Sequence, residues 1–262
     1  MRFQDEIGVC DNMIRMPDSR RHRGAHPKDA GDFGQRELGR LGQATAELAW
    51  LLSRGYPIKR STELVGDRHA LRVRQRKAIG RAAAARQDRQ VREEKRLDAS
   101  ELYDRELWVD GYNVLLTVEA ALGGGVLLQC MDGTLRDIAA MSSHYKRVEE
   151  TEKALRILGE HLEDLAPSAV HWLLDRPISN SGRLRRLMLD LAQEQDWPWQ
   201  VELVANPDAV LKRSSHVVAT ADSAILDACV SWHNLAREVV DSAAPRAWRV
   251  DLSADEVDSV LA

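Results

Sequence analysis

The stretch LWVDGYNVLL, residues 107–116, limits the fold more than any other. A short apolar run, Leu107, Trp108 and Val109, delivers Asp110 and Gly111 at its end, and apolar residues resume at Val114. A strand buried on both faces reads as such an unbroken run, and an acid at its end lies at the carboxyl edge of a parallel sheet. Glycine directly after the acid permits a sharp turn or a close backbone approach. Asn113 stands where a helix N-cap or a site-organising amide is useful. The expectation is that Asp110 founds a cluster of metal-binding carboxylates.

Downstream, apolar runs recur at residues 169–174, 200–204, 216–219 and 247–252, with helical candidates at 134–164, 182–195 and 222–240 between them. That alternation predicts an α/β domain with a central, mostly parallel sheet and right-handed crossovers. Gly123, Gly124 and Gly125, followed by residues 126–133, break the first crossover and predict a hairpin or a mobile flap. Neither GxxxxGK[ST] nor GxGxxG occurs, so phosphate-loop and dinucleotide folds lack motif support.

Upstream the pattern is helical. Leu38, Leu41, Thr45, Leu48, Ala49 and Leu52 keep helical spacing until Ser53, Arg54, Gly55 and Pro57 stop it. A second helix can start at Ser61. A third, over 71–85, carries Arg72, Arg74, Arg76, Lys77 and Arg81 on its polar face. Helix, turn and basic helix are compatible with a helix-turn-helix, and Arg72, Arg74 and Arg76 are its candidate nucleic-acid contacts. Residues 87–96 are almost wholly charged and read as a solvated linker helix. The charge divides at the same place: residues 20–96 hold 20 Lys/Arg against 9 Asp/Glu, and residues 97–262 hold 15 against 28. We therefore divide the chain into a frayed or disordered start (1–21), a small all-helical basic domain (22–96) and the α/β domain (97–262). A basic arm beside an acidic domain suits an enzyme that handles nucleic acid at a metal site. In RRHRGAHP, His22 and His26 lack a further ligand nearby, and Gly24 and Pro27 oppose a helix that would align them, so phosphate contact or plain exposure is the better reading.

Three strand candidates end on or just before an acid. Asp110 follows LWV, Asp175 follows HWLL, and Asp222 lies just beyond VVAT, where it can also cap the next helix. The carboxyl ends of a parallel sheet face one crevice, so these acids can converge although distant in sequence. Crowded carboxylates repel unless a hard divalent cation, Mg²⁺ or Mn²⁺, joins them, and such ions could activate a water for attack on a phosphate. Arg176, Ser179, Asn180, Ser181 and Arg183, in DRPISNSGRLRR, sit at a helix start where anions are favoured; with Asn113 they are the candidate substrate contacts.

VDGYNVL, LLDRP and VVATADS resemble the three acidic motifs of PIN/NYN-type nucleases, metal-dependent ribonucleases on a PIN-like three-layer α/β fold. The resemblance covers roughly residues 102–252 and implies Asp110, Asp175 and Asp222 as catalytic metal ligands. Many NYN-type chains carry a second acid where this one has Ala224; Asp227 is the nearest substitute ligand. The resemblance also directs attention to Glu119, on the helix after the first strand. The whole chain is similar, besides, to an uncharacterised two-part prokaryotic family whose helical part bears HRGAHP, WLLSRGY, LVGDR and RQR. The expected function is RNA phosphodiester hydrolysis at a Mg²⁺ or Mn²⁺ site; the alternative is a non-catalytic nucleic-acid-binding or regulatory protein on the same fold.

Other classes recede. MDGTLRD echoes haloacid-dehalogenase phosphatases, but Cys130 occupies the position of their nucleophilic aspartate. The three cysteines, Cys10, Cys130 and Cys229, are odd in number and lack zinc spacing, which suits a reducing cytoplasm. No apolar stretch approaches the roughly 20 residues of a membrane span, so no membrane partner is expected. The sequence leaves a homodimer open.

Overall fold

The computed structural model describes residues 22–138, 145 and 147–254. The frayed start expected for residues 1–21 lies outside them. In chain order the first elements are α1 (Asp29–Phe33), α2 (Gln35–Leu52), α3 (Ile58–Arg68), α4 (Val73–Ala82), α5 (Arg86–Glu94), β1 (Glu106–Asp110), α6 (Gly111–Gly123), β2 (Leu127–Gln129) and β3 (Leu135–Asp137). They are followed by α7 (Glu150–Leu165), β4 (Ala169–Asp175), α8 (Ser181–Glu194), β5 (Trp199–Val204), α9 (Pro207–Leu211), β6 (Val217–Ala219), α10 (Ser223–Ala228), β7 (Ser231–His233), α11 (Leu235–Ala243) and β8 (Arg249–Asp251).

The apolar run of β1 forms the middle of a five-stranded, all-parallel sheet ordered β5-β4-β1-β6-β7. The chain proceeds outward from β1 to β4 and β5, then returns to the other side of β1 for β6 and β7. The reversal falls between β1 and β6, and a ligand crevice in such a sheet opens outside the carboxyl ends at that point. Leu107 and Val109 point into a core shared with α6, α7, α8 and α11. The opposite face is covered by Leu211 of α9 and Ile225 and Leu226 of α10, packed on Val218 and Trp232. The α/β architecture with a mostly parallel central sheet and an N-terminal helical region follows the sequence reading.

Three expectations are corrected. The helix expected over 134–164 begins only at Glu150, because residues 135–137 form β3, antiparallel to β2. Asp132 accepts the Thr134 N–H at 3.3 Å, and Gly133 takes φ +77, which closes that hairpin. The helix expected over 222–240 is interrupted by β7, since Trp232 exchanges backbone hydrogen bonds with Lys95 and Leu97 at 3.1 and 2.8 Å. Tertiary pairing overrides a helical period there. The run at 247–252 becomes β8, which pairs with β2 in a separate three-stranded sheet, β3-β2-β8.

That small sheet is where the helical arm attaches. Phe33, Leu41, Leu48 and Ile79 share a core with Leu128, Cys130, Val250 and Leu252. α5 is accordingly no solvated linker: Arg92 is buried, and its guanidinium joins Asp132 at 2.6 Å to Asp227 at 2.7 Å. The segment before α1 is pinned too, by His22 on Glu150 at 2.8 Å and Arg23 on Glu119 at 2.7 Å. It crosses the glycine triplet, where Gly124 at φ +76 ends α6 and a Cβ on Gly125 would lie 2.9 Å from the Arg23 carbonyl oxygen. Of the hairpin or flap expected here, the hairpin forms, as β2 and β3, and the triplet before it is a crossing point rather than a flap hinge.

Gly111 has a similar cause. α6 is buried almost all round and starts hard against β4: a Cβ at Gly111 would lie 2.8 Å from the Leu173 carbonyl oxygen and 2.6 Å from a Leu174 methyl. Gly111→Ala should therefore lower stability by about 1–3 kcal/mol, the usual cost of overpacking. A thermal midpoint equal to that of the parent would show that the helix start shifts freely.

Candidate functional site

Asp110 ends β1 and occupies the N-cap position of α6. It is buried, 8% exposed, and accepts a hydrogen bond from the Thr220 hydroxyl at 2.8 Å. Burial pushes its carboxyl up to about 7; nearby Asp222 and Asp208 push the same way, while the Thr220 hydroxyl and the Asn113 backbone amide oppose. The Asn113 side chain accepts the Ala221 N–H at 2.8 Å, tying the first turn of α6 to the loop after β6. In that loop the Asp222 N–H donates to Thr220 Oγ1 at 3.0 Å. Asp222 caps α10, its Oδ1 accepting from Ala224 and Ile225 N–H at 2.9 and 3.2 Å. Asp175 ends β4 and is half-buried; burial raises its carboxyl, and Asp208 raises it further.

Asp208 is the acid that sequence reasoning missed. It lies in the first turn of α9, just beyond β5, behind an Asn206 cap that accepts the Ala209 N–H at 3.0 Å and a proline at the first helical position. The signal was available: Asn-Pro after a strand opens a helix. With it, four acids stand at the carboxyl ends of four adjacent strands, β5, β4, β1 and β6, and no Lys or Arg among the described residues pairs with any of them. The Tyr112 hydroxyl is also buried, lacks a hydrogen-bond partner among the described residues, and is pushed up by burial with Asp175 and Glu119 nearby.

The other candidates lie elsewhere. Asp227, the substitute ligand, is held by Arg92 and turns from the cluster to the helical arm. Glu119 is fully buried and accepts from Arg23 Nε, the Tyr145 hydroxyl and the Thr151 hydroxyl at 2.7, 2.6 and 2.6 Å. The Arg176 guanidinium donates to the Leu203 carbonyl on the outer edge of β5 at 2.8 Å, as Arg185 does to Val201 at 2.8 Å. The two arginines cover carbonyls that an edge strand would otherwise offer to another chain. Ser181 is buried, its hydroxyl on the Arg176 carbonyl at 3.4 Å, and Ser179 is exposed. Asn180 and Arg183 line a pocket of about 320 Å³ with Tyr145, Arg147, Leu184 and Leu187. The arginines of α4's basic face are spent internally. Arg72 pairs with Asp32 at 2.5 Å, Arg74 with Asp29, and Arg76 with Asp67 at 2.8 Å, which lashes α4 to α1 and α3.

The four acids suit Mg²⁺ or Mn²⁺ in kind, as hard oxygens bearing uncancelled charge. They do not suit a cation in placement: among the described residues no three acids, histidines or cysteines converge closely enough to hold one. No helix among those residues is long and apolar enough to cross a membrane.

Residues 40–95 match the family described as Protein of unknown function (DUF434), and residues 99–238 match Domain of unknown function (DUF5616). The chain is 28% identical over 184 residues to Uncharacterized protein MJ0935 of Methanocaldococcus jannaschii, a match that spans 70% of this chain and 88% of that protein. No solved structure matches the chain. The similarity to a two-part family of unknown function, read from the sequence, thus holds across both parts. Because the second match takes in more than half of the chain, and with it Asp110, Asp175, Asp208 and Asp222, the chain belongs to the DUF5616 family.

Proposed function

We propose that the chain is a ribonuclease-like phosphodiesterase of the PIN/NYN kind, working in the crevice at the carboxyl ends of β1 and β6. One observation carries this reading: four acids without Lys or Arg partners among the described residues stand at the strand ends around that crevice, and burial pushes the carboxyl of the most buried of them, Asp110, up to about 7. A carboxylate poised there can take a proton from an attacking hydroxyl or water near neutral pH. Asn113 and Thr220 hold the loop and the carboxylate in place for it. Mg²⁺ or Mn²⁺ is the cofactor this reading calls for. Since the acids do not converge as they stand, no step is assigned to it. That same spacing favours a second reading, a nucleic-acid-binding or regulatory protein that has kept the fold without catalysis.

The test is incubation of the purified chain with end-labelled single-stranded and structured RNA, in Mn²⁺ or EDTA, beside Asp110→Asn. Cleavage that falls at least about 100-fold in the variant is expected, and the comparison of Mn²⁺ with EDTA decides whether a cation takes part. Binding with no cleavage would establish the second reading, and cleavage unchanged in Asp110→Asn would remove the site from the reaction.

A further inference from the structure

We infer that the corner between α2 and α3 is the surface on which the chain takes single-stranded RNA, an inference that rests on the nucleolytic reading above and gives it a substrate-binding face. Residues 54–60, RGYPIKR, are exposed without a break. Tyr56 is 56% exposed and Ile58 48%, beside Trp50 at the end of α2 at 37%. Three cations interleave with them. The Arg54 guanidinium lies 3.5 Å from the centre of the Trp50 ring, and Lys59 and Arg60 follow on the first turn of α3. No Asp or Glu occurs between Glu47 and Glu63. Arg54, Lys59 and Arg60 make no ion pair among the described residues, whereas Arg72, Arg74 and Arg76 are each neutralised. The corner therefore presents exposed cations without ion-pair partners among the described residues, whereas Arg72, Arg74 and Arg76 at α4 are tied to carboxylates.

Exposed aromatic rings beside unpaired cations are the means by which proteins hold unpaired bases, which stack on the rings while the backbone follows the charges. Bases in a duplex are already stacked and offer no face to Tyr56. A membrane surface would call for a broad apolar helix face, and α3 instead intersperses its exposed Ile58 and Leu64 with Lys59, Arg60, Glu63, Asp67 and Arg68. The corner is also joined to the acids. The Arg86 N–H donates to Ser53 Oγ at 2.9 Å, so α5 starts at the corner, and Arg92 near its other end holds Asp227 of α10, the helix that Asp222 caps. From Arg86 to Arg92 the rise along α5 is about 9 Å.

The experiment is binding of fluorescent oligouridine to the full chain in EDTA across a salt series. Tyr56→Ala is expected to weaken binding about tenfold, with Tyr56→Phe retaining it. Lys59→Ala with Arg60→Ala is expected to flatten the slope of log K against log salt by about 1.4. Melting curves should match the parent, since these side chains are exposed. Parental affinity in all variants would overturn the inference, as would tighter binding of oligodeoxyuridine. So would binding of phosphatidylserine vesicles that the same variants abolish. If binding depends on Tyr56 but no RNA is cleaved, catalysis fails and this surface stands; cleavage with binding indifferent to Tyr56 has the reverse meaning.

Discussion

Asp110→Asn should stabilise the fold at pH 8 by about 4 kcal/mol while removing its proposed chemistry. In the folded chain the carboxyl titrates at about 7 against an ordinary value of 3.8, because it is buried and Asp222 and Asp208 stand near it. The gap corresponds to about 4 kcal/mol. A raised carboxyl favours folding only while protonated: its contribution is fully present below 3.8 and is lost as the pH rises through about 7. Asparagine keeps an oxygen for the Thr220 hydroxyl and carries no charge at any pH. The gain should therefore be largest above pH 7, on the order of 10 °C in melting midpoint, and should shrink as the pH falls toward 4. Melts of both proteins at pH 8 and pH 4.5 decide it, and an equal gain at both would mean that packing, not buried charge, separates them. A chain that retains such a cost at the mouth of its sheet fits a functional demand on that carboxylate better than a structural one.

The acids at the strand ends were legible because a parallel strand announces itself locally, as an unbroken apolar run with an acid at its end. Asp110, Asp175 and Asp222 each follow such a run. Asp208 escaped notice because it follows β5 only after a capped turn, where Asn-Pro marks a helix start and not a strand end. The short strands β3 and β7 were hidden for another reason: each has three residues, and each is fixed by partners far along the chain. Charge was misleading where its partner was remote. Arg92 read as surface, and Arg72 and Arg74 as phosphate contacts, although their carboxylates lie on α1, the β2–β3 turn and α10. Charge counts predict a solvated face only when the opposite charge is not brought in by the fold.

The β2–β3 turn matters most where it meets the site, and there Arg136→Met should cost about 3–5 kcal/mol, the range for removing one partner of a buried ion pair. Arg136 is 4% exposed; Nη2 meets Asp132 at 2.5 Å, Nη1 donates to the Arg81 carbonyl at 2.7 Å, and Nε donates to the Ala221 carbonyl at 2.6 Å. Asp132 is held below the ordinary carboxylate range by Arg136 and Arg92 in spite of its burial. Methionine leaves Asp132 with Arg92 as its one cation among the described residues, beside the Thr134 N–H and hydroxyl, and takes the donor from the Arg81 and Ala221 carbonyls. The Ala221 carbonyl is the consequential one, because Ala221 lies between Thr220, which bonds Asp110, and Asp222. Loosening that loop withdraws the hydroxyl that pulls the Asp110 carboxyl down, so Asp110 should titrate above about 7 in the variant. Carbon-13 NMR of the Asp110 carboxyl reads this without assuming any activity. Adding Asp132→Leu removes the unbalanced acid and should restore part of the stability, since Arg92 keeps Asp227. It supplies no donor to the Ala221 carbonyl, so the altered titration should persist. Recovery of both together would mean that Arg136 acts on the site only through the stability of the fold; recovery of stability alone makes it the residue that positions the Thr220–Asp222 loop.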